Sequence, residues 1–365
     1  MVHKYETKAV PAAIVGIRGY SGLELAGLLL KHPGVELKAG FSSDPGFNLG
    51  DYLEDEKATQ VSILSNEDIV QTAREFETLF LATPPKTSLD LAPKLLEAGC
   101  RVIDLSGAFR LKKGSTEERI EKYQKWYKLE HNQPELLSSA HYGLVPWGSP
   151  EALPSVRFIA NPGCYATSVL MALLPLVKEK LIELNTIVID AKSGTSGAGK
   201  KAEENLLFAE VAEDCTPYKV AQHQHLPEIR EMIERYTGET IDPMFSTTLL
   251  PIKRGITTAI YARLSARLRE EPLSSVVERI DLAYEKFYAD YPLLKWGLLQ
   301  EEPGRPSPLS LKRVVGSART RIRYAAEGDK LFVFSMIDNL LKGAASQAIE
   351  NFNLIHGLPL LTGLT

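Results

Sequence analysis

The sequence predicts an α/β chain: a parallel-sheet domain first, then an α+β domain whose sheet is largely antiparallel or mixed. Three observations predict this. At 365 residues the chain is too long for one ordinary core. Up to about residue 160, short apolar runs alternate with helical segments, the pattern of strand–helix–strand units. Past about residue 164 the strand candidates lengthen and crowd together, which is the α+β pattern.

"AAIVGI" (12–17) is a short apolar run of the buried-strand type. A helix over 21–31 follows, with Leu25, Leu28 and Leu29 on one face, and "HPG" ends it. "VELKAGF" is a second strand. "TLFLA" and "RVIDL" (101–105) are further strands, with the helical "SLDLAPKLLEAG" between them, and "VRFIA" (156–160) is a later strand that runs into "ANPGCYATS". Beyond it, "TIVIDAK", "FSTTLLPI", "ITTAIYARL", "RIRYA" and "KLFVFSMI" read as strands, with helices around 202–211 and over 273–288. "EEPGRPSPLS" is a surface loop. A last helix is expected over 338–356, with Leu340, Leu341, Ala344, Ala345 and Ala348 on one face. The chain shows no internal repeat.

Hydrophobic residues at 44% and charged residues at 24% are globular values. A net charge of −4 leaves no basic field for nucleic acid or an anionic membrane surface. The most apolar run, "SVLMALLPLV", has about half the length of a membrane span. The start, "MVHKYETKAVPAAIVG", has no signal-peptide apolar core. Cys100, Cys164 and Cys215 are odd in number and widely spaced, which speaks against a disulfide framework or a cysteine zinc site. A cytoplasmic protein with reduced thiols is expected, with no metal, no nucleic-acid partner and no membrane partner.

"GIRGYSG" puts Gly16, Gly19 and Gly22 three apart between a strand and a helix. A bound phosphate needs backbone amides at a helix N-terminus and no Cβ in the way, so this loop (Gly16, Arg18, Gly19, Tyr20, Ser21, Gly22) is a dinucleotide candidate. The spacing is GxxGxxG, and a plain glycine-rich turn is the other reading. An acidic residue ending the second strand would take the ribose hydroxyls of NAD. Here Ser42 and Ser43 stand there, Asp44 comes slightly late, and Arg18 lies in the loop, which favours NADP(H). An Asp44 turned inward would reverse that preference. "SGTSGAGKK" (193–201) matches GxxxxGK, but Lys201 replaces the Ser or Thr that holds Mg²⁺. It reads instead as a loop of amides, hydroxyls and lysines suited to a substrate phosphate or carboxylate.

Cys164 falls at the junction of a strand and a helix. Most free cysteines are buried small hydrophobes. This junction, however, opens into the crevice of an α/β sheet, and a helix N-terminus favours thiolate, so Cys164 is the candidate nucleophile. "AQHQHLPEI" supplies His223, His225 and Glu228, a histidine–carboxylate group suited to acid–base work. A metal there would need a third ligand that the sequence does not place.

Together, "GIRGYSGLEL", "VIDLSGAFRL", "ANPGCYATS", "KSGTSGAGK", "PYKVAQHQHLPEI", "LLPIKRGI" and "DNLLKGAASQAIENFNLIHGLP" resemble, in order and from about residue 12 to 360, the N-acetyl-γ-glutamyl-phosphate reductases of arginine biosynthesis. That family is a sister of aspartate-semialdehyde dehydrogenase and a more distant relative of glyceraldehyde-phosphate dehydrogenase. The resemblance implies a Rossmann-type NADP-binding domain over 1–163 plus 339–365, and a catalytic and dimerisation domain over 164–338. It implies NADPH-dependent reduction of N-acetyl-γ-glutamyl phosphate to the 5-semialdehyde, with phosphate release, through a thioester on Cys164. A homo-oligomer, dimer or tetramer, is expected.

Residue by residue, the resemblance places the acid–base group at His223 or His225 and favours His225, with Glu228 near it. Arg254, Arg110 and Ser196 become substrate contacts. Ser193, Gly194 and Asn339 become cofactor contacts, Asn339 near the nicotinamide. Departures from the family pattern are Arg18 in the glycine loop, Ala166 after the cysteine, Gln224 between the histidines, and Ala318-Arg319. Carrier-linked aminoadipyl-phosphate reductases usually carry GCNAT at the cysteine, so Tyr165 favours the arginine branch. The alternatives are a reductase of another acyl phosphate, aspartyl or carrier-linked aminoadipyl, and a non-catalytic NADP-sensing protein.

Overall fold

The computed structural model describes residues 9–148 and 154–364. Half of the N-terminal stretch read for a signal peptide, residues 1–8, lies outside them. The chain divides into two compact units. One runs to Pro162 and resumes at Ala344; the other is Gly163–Gly343.

The first unit carries β1 (Val10–Val15), α1 (Tyr20–Lys31), β2 (Val35–Ser42), β3 (Ser62–Ser65), the single turn α2 (Ile69–Thr72), β4 (Thr78–Leu81), α3 (Pro85–Glu97), β5 (Arg101–Asp104), α4 (Thr116–Tyr127), α5 (Pro134–Ser139), β6 (His141–Tyr142) and β7 (Phe158–Ala160). Its sheet has the order β3-β2-β1-β4-β5-β7-β6, with every pair parallel. Strand β4 is buried at every position, as a sheet covered on both faces requires. Ala13 and Val15 join Leu89, Ala92 and Leu95 of α3 in one core cluster. The strand order reverses between β1 and β4, so their carboxyl ends open the crevice where ligands of such sheets bind.

Five elements of this unit have no counterpart in the sequence reading: β3, α2, α4, α5 and β6. Helix α4 did carry a signal, because Ser115 and Glu118 form a reciprocal capping box. In α1 the buried face is Leu25, Ala26, Leu29 and Leu30, and Leu28 is only half-buried.

The second unit carries α6 (Cys164–Lys178), β8 (Val188–Ser193), the single turn α7 (Phe208–Val211), β9 (Thr216–Tyr218), α8 (His225–Thr237), β10 (Met244–Leu249), β11 (Ile256–Arg263), α9 (Leu273–Tyr288), β12 (Leu294–Lys295), β13 (Thr320–Glu327) and β14 (Lys330–Ile337). Its sheet is mixed, ordered β12-β13-β14-β11-β8-β10-β9. Helix α6 is apolar all round and is buried from Tyr165 to Val177, packing on β11 and β14. Its buried Ser168 is satisfied: Oγ lies 2.9 Å from Thr258 Oγ1 and 3.1 Å from Ser335 Oγ. Phenols of α9 donate to α6 carbonyls, Tyr284 to Ala172 and Tyr288 to Met171.

The opposite face of this sheet is open. The register aligns Met244, Val188, Tyr261, Phe332 and Ala325 in one row across five strands. Met244 is 72% exposed and Tyr261 37%.

Two expected helices change. Over 202–211 there is a 3₁₀ turn, Glu204–Leu206, then an extended Leu207, then α7. No core lies against this stretch: Leu207 and Phe208 are exposed, so nothing stabilises a continuous helix. The last helix does not begin at residue 338. Asp338 accepts the amides of Leu340 and Leu341, Gly343 N donates back to Asp338 O, and a π-helical turn, Leu341–Ala345, precedes α10 (Ser346–Ile355). Helix α10 belongs to the first unit, where Phe352 meets Phe80 and Asn353 pairs with His32.

Candidate active site

Cys164 is the first residue of α6 and is half-exposed. Gly163 caps the helix without a side chain, and its amide donates to Glu228 Oε1 at 2.8 Å. Glu228, fully buried in the first turn of α8, therefore fixes the backbone next to the thiol. The first-turn amides of α6 form a helix N-terminus able to stabilise negative charge. The π turn closes on the same residue. A Cβ on Gly343 would sit 2.7 Å from Cys164 Cβ, so only glycine fits. The other thiols differ. Cys100 is buried, its Sγ–H donating to Ala73 O, and burial raises its pKa; Cys215 is exposed in a loop.

His223 and His225 are both buried. Gln224 between them is in the αR region, so the segment turns, and His225 N donates to His223 Nδ1 at 3.2 Å. The rings lie 4.8 Å apart, and both make edge contacts with Tyr165. Burial, with His225 and Lys219 nearby, pushes the His223 pKa down to about 2. His223 is thus neutral at any working pH, with Nδ1 an acceptor. Tyr165 served in the sequence only to favour the arginine branch, and Tyr218 was given no role there. Tyr218 Oη lies 3.0 Å from Tyr165 Oη, and burial raises both phenols, Tyr218 to about 12. Tyr218 stood in the quoted "PYKVAQHQHLPEI" and gave no chemical signal of its own.

Arg254 is held by a residue that sequence reasoning passed over. Asp338, fully buried, meets it at two points: Nε to Oδ2 at 2.8 Å, and Nη2 to Oδ1 at 3.0 Å. Asn339 beside it accepts from Gly255 N at 2.7 Å and donates to Ser196 Oγ at 3.0 Å. The Asp338-Asn339 pair therefore ties the Arg254 turn to the Gly194–Ser196 loop. Ser193 is buried and donates to Gly194 O.

In the first unit the β1–α1 turn has no room for a side chain at Gly16 or Gly22. Gly16 has φ +81°, and a Cβ there would lie 2.5 Å from Ala82 O; one on Gly22 would lie 2.3 Å from Gly16 O. Gly19 caps α1 with no side-chain partner, leaving its first amides as an anion cradle. The turn thus fits a dinucleotide pyrophosphate. Tyr20 and Ser21 are half-buried in the first turn. Ser42 is buried, its Oγ accepting from Asp44 N, and Ser43 is exposed. Arg18 Nη1 lies 3.0 Å from Asp44 Oδ2. Arg110 is anchored on the Asn161 and Leu105 carbonyls, each at 2.8 Å. Asp104, another residue not foreseen, is fully buried at the end of β5 and takes the Ser106 amide and hydroxyl. Among the described residues, no three His, Cys, Asp or Glu side chains group as a metal site.

The family described as the NAD binding domain of semialdehyde dehydrogenase matches residues 11–156, and its dimerisation domain matches residues 164–339. An N-acetyl-gamma-glutamyl-phosphate reductase of Geobacillus sp. (strain WCH70) is 41% identical over 96% of this chain and 97% of its own length. The chain belongs to the N-acetyl-γ-glutamyl-phosphate reductase family. A reductase of the same name from Bacillus cereus (strain AH187) is 40% identical over the same shares. The fold extends further. Aspartate semialdehyde dehydrogenase II of Vibrio cholerae superposes with a TM-score of 0.69 at 16% identity, covering 96% of this chain and 99% of that one. The NADP complex of the Candida albicans enzyme gives 0.64 at 16%, over the same shares. The chain is accordingly an oxidoreductase of the semialdehyde dehydrogenase type with a nicotinamide-binding domain. Among its described residues no helix is long and apolar enough to cross a membrane.

Proposed function

We propose that the chain reduces N-acetyl-γ-glutamyl phosphate to N-acetylglutamate 5-semialdehyde, with NADPH as the preferred coenzyme. The observation that carries it is Cys164 at the first position of α6, with Glu228 holding the preceding amide. The Cys164 thiolate attacks the acyl carbon, and phosphate leaves with the C–O bonding pair. The α6 amides stabilise the oxyanion of each tetrahedral stage. NADPH, held by the β1–α1 turn, would supply the hydride that reduces the thioester, and His225 would give the resulting oxyanion its proton. His225 takes the hydroxyl proton as the C–S bond breaks and the aldehyde departs. His223, neutral, accepts the His225 amide and sets that segment. Arg254, with Ser196, meets the substrate anions, Arg254 aimed by Asp338.

NADPH is favoured over NADH because both Asp44 oxygens are engaged, Oδ1 by Gly46 N and Oδ2 by Arg18. Those partners hold the carboxylate in its own turn and on Arg18, and Ser42 and Ser43, not an acid, stand at the end of β2. Residues 1–163 with 339–365 act as the coenzyme domain, and 164–338 as the catalytic one. A second copy of the chain covers the open sheet face of the second unit, a row with three large exposed or half-exposed apolar side chains, Met244, Tyr261 and Phe332. Three free cysteines suit the cytoplasm.

The test is the reverse reaction. N-acetylglutamate 5-semialdehyde should drive NADP⁺ reduction only when inorganic phosphate is present, and aspartate semialdehyde should not replace it. Phosphate-independent turnover, or coenzyme binding with no turnover, would end the proposal.

A further inference from the structure

The arginine of the glycine turn and the acid that follows β2 are bonded to each other in this chain. Arg18 stands in the glycine turn between β1 and α1; Asp44 follows β2 by two residues. Their side chains meet at 3.0 Å, with 49% and 39% of their surfaces exposed. Asp44 is the fixed member. Its amide donates to Ser42 Oγ at 3.0 Å and its Oδ1 accepts Gly46 N at 3.1 Å, so a tight turn holds the carboxylate. Arg18 is the member on a long flexible stem.

We propose that Arg18 and Asp44 form a coenzyme selector, in which Asp44 is an internal anion that the coenzyme's 2′-phosphate displaces from Arg18. This rests on the preference for NADPH argued above. A phosphate monoester carries nearly two negative charges and three acceptor oxygens against the carboxylate's one charge and two oxygens. The resident pair is exposed, and such pairs are worth at most a factor of about five in equilibrium. The phosphate therefore wins, and the carboxylate left behind lowers the affinity that Arg18 alone would give. NADH, with a 2′-hydroxyl, leaves the pair intact. The two side chains thus act on the NADPH/NADH ratio with opposite signs. Arg18 raises it and Asp44 lowers it.

The experiment is calorimetric binding to the full chain of NADPH, NADH, and the half-ligands adenosine 2′,5′-bisphosphate and 5′-AMP. Wild type, Arg18→Ala and Asp44→Asn are compared, with melting temperatures as the folding control. Arg18→Ala should weaken NADPH and the bisphosphate by about tenfold or more, leaving NADH and 5′-AMP within about threefold. Asp44→Asn should tighten NADPH and the bisphosphate by roughly two- to fivefold. Losses of the same sign in both variants would make Asp44 a mere support of Arg18 and overturn the proposal. An unchanged ratio in Arg18→Ala would overturn it too, while leaving the NADPH preference to other residues. A wild type that binds NADH as tightly as NADPH ends the preference itself, and the selector with it.

Discussion

Cys164 and Cys215 are both reachable thiols, but only Cys164 has a helix terminus behind it and a buried carboxylate fixing its neighbour. Cys164→Ser should keep the melting temperature and NADPH affinity yet lose turnover by several orders of magnitude, because a serine hydroxyl is barely ionised near neutrality. Iodoacetamide will mark Cys215 as well, since it is exposed. Peptide mapping should show activity falling in step with Cys164, and a loss that tracks Cys215 would move the nucleophile. The histidines divide by bonding, because His223 Nδ1 is taken up by the His225 amide. His223 cannot hold a proton at working pH, so His225→Asn should lower turnover by ~10²–10⁴-fold with NADPH affinity little changed. His223→Asn should cost stability and raise KM. A larger turnover loss at His223 would defeat the assignment. The sequence showed both rings and the nearby acid; which task each takes depended on Gln224 turning the chain and on Tyr165 packing against both rings.

At the scale of elements, the segment after β14 shows how one side chain organises several loops. Asp338 ends the strand, accepts the first amides of the π turn, takes the Gly316 amide, and holds Arg254. Asp338→Asn removes the charge facing a guanidinium that is 18% exposed. Breaking such a pair costs up to about 3–5 kcal/mol when fully buried, and less here. The expected result is a lower melting temperature and a raised KM for the acyl phosphate with NADPH affinity unchanged. Arg254→Met added to Asp338→Asn should recover part of the stability and none of the KM. Recovery of both would make the pair purely structural. The helical periodicity of "DNLLKGAASQAIENF" was visible in the sequence; the extra residue in its first turn was not. That insertion follows from Gly343 fitting against Cys164, a contact between residues far apart in the chain.

Across the whole molecule, burial lowers the pKa of His32 and His131, and that of His356 to about 4, with Arg101 adding to the last. Unfolded, these rings titrate near 6.5. Between the two His356 values the unfolded chain binds a proton that the folded chain does not, so the stability His356 contributes is complete above about pH 6.5 and is lost as pH falls toward 4, and His32 and His131 act in the same direction. Asp104 acts oppositely, because burial raises its pKa and its protonation favours the fold. The variant comparison isolates one ring. His356→Gln should flatten the fall in melting temperature between about pH 7 and 5 relative to wild type. An unchanged slope would mean that His356 is not buried neutral. The open sheet face gives a second expectation. Tyr261→Glu with Phe332→Glu should yield smaller particles by light scattering, because a charge in each apolar contact opposes face-to-face association. An unchanged mass would place the contact elsewhere.

The sequence by itself determined the α/β class, the strand runs, the glycine turn and the strand–helix junction at Cys164. Each is a local signal: a period of two or 3.6, a glycine where no Cβ fits, a cap before an apolar run. It also displayed the histidines and Arg254 as chemistry-bearing types. The tertiary structure decided what these groups touch. Glu228 reaches Gly163, 65 positions away, Asp338 reaches Arg254 across 84, and residues 202–211 lose their helix because no core comes to meet them. Periodicity carries which face of an element is apolar, but pairing across such separations depends on where the other elements pack, and only the folded chain holds that information.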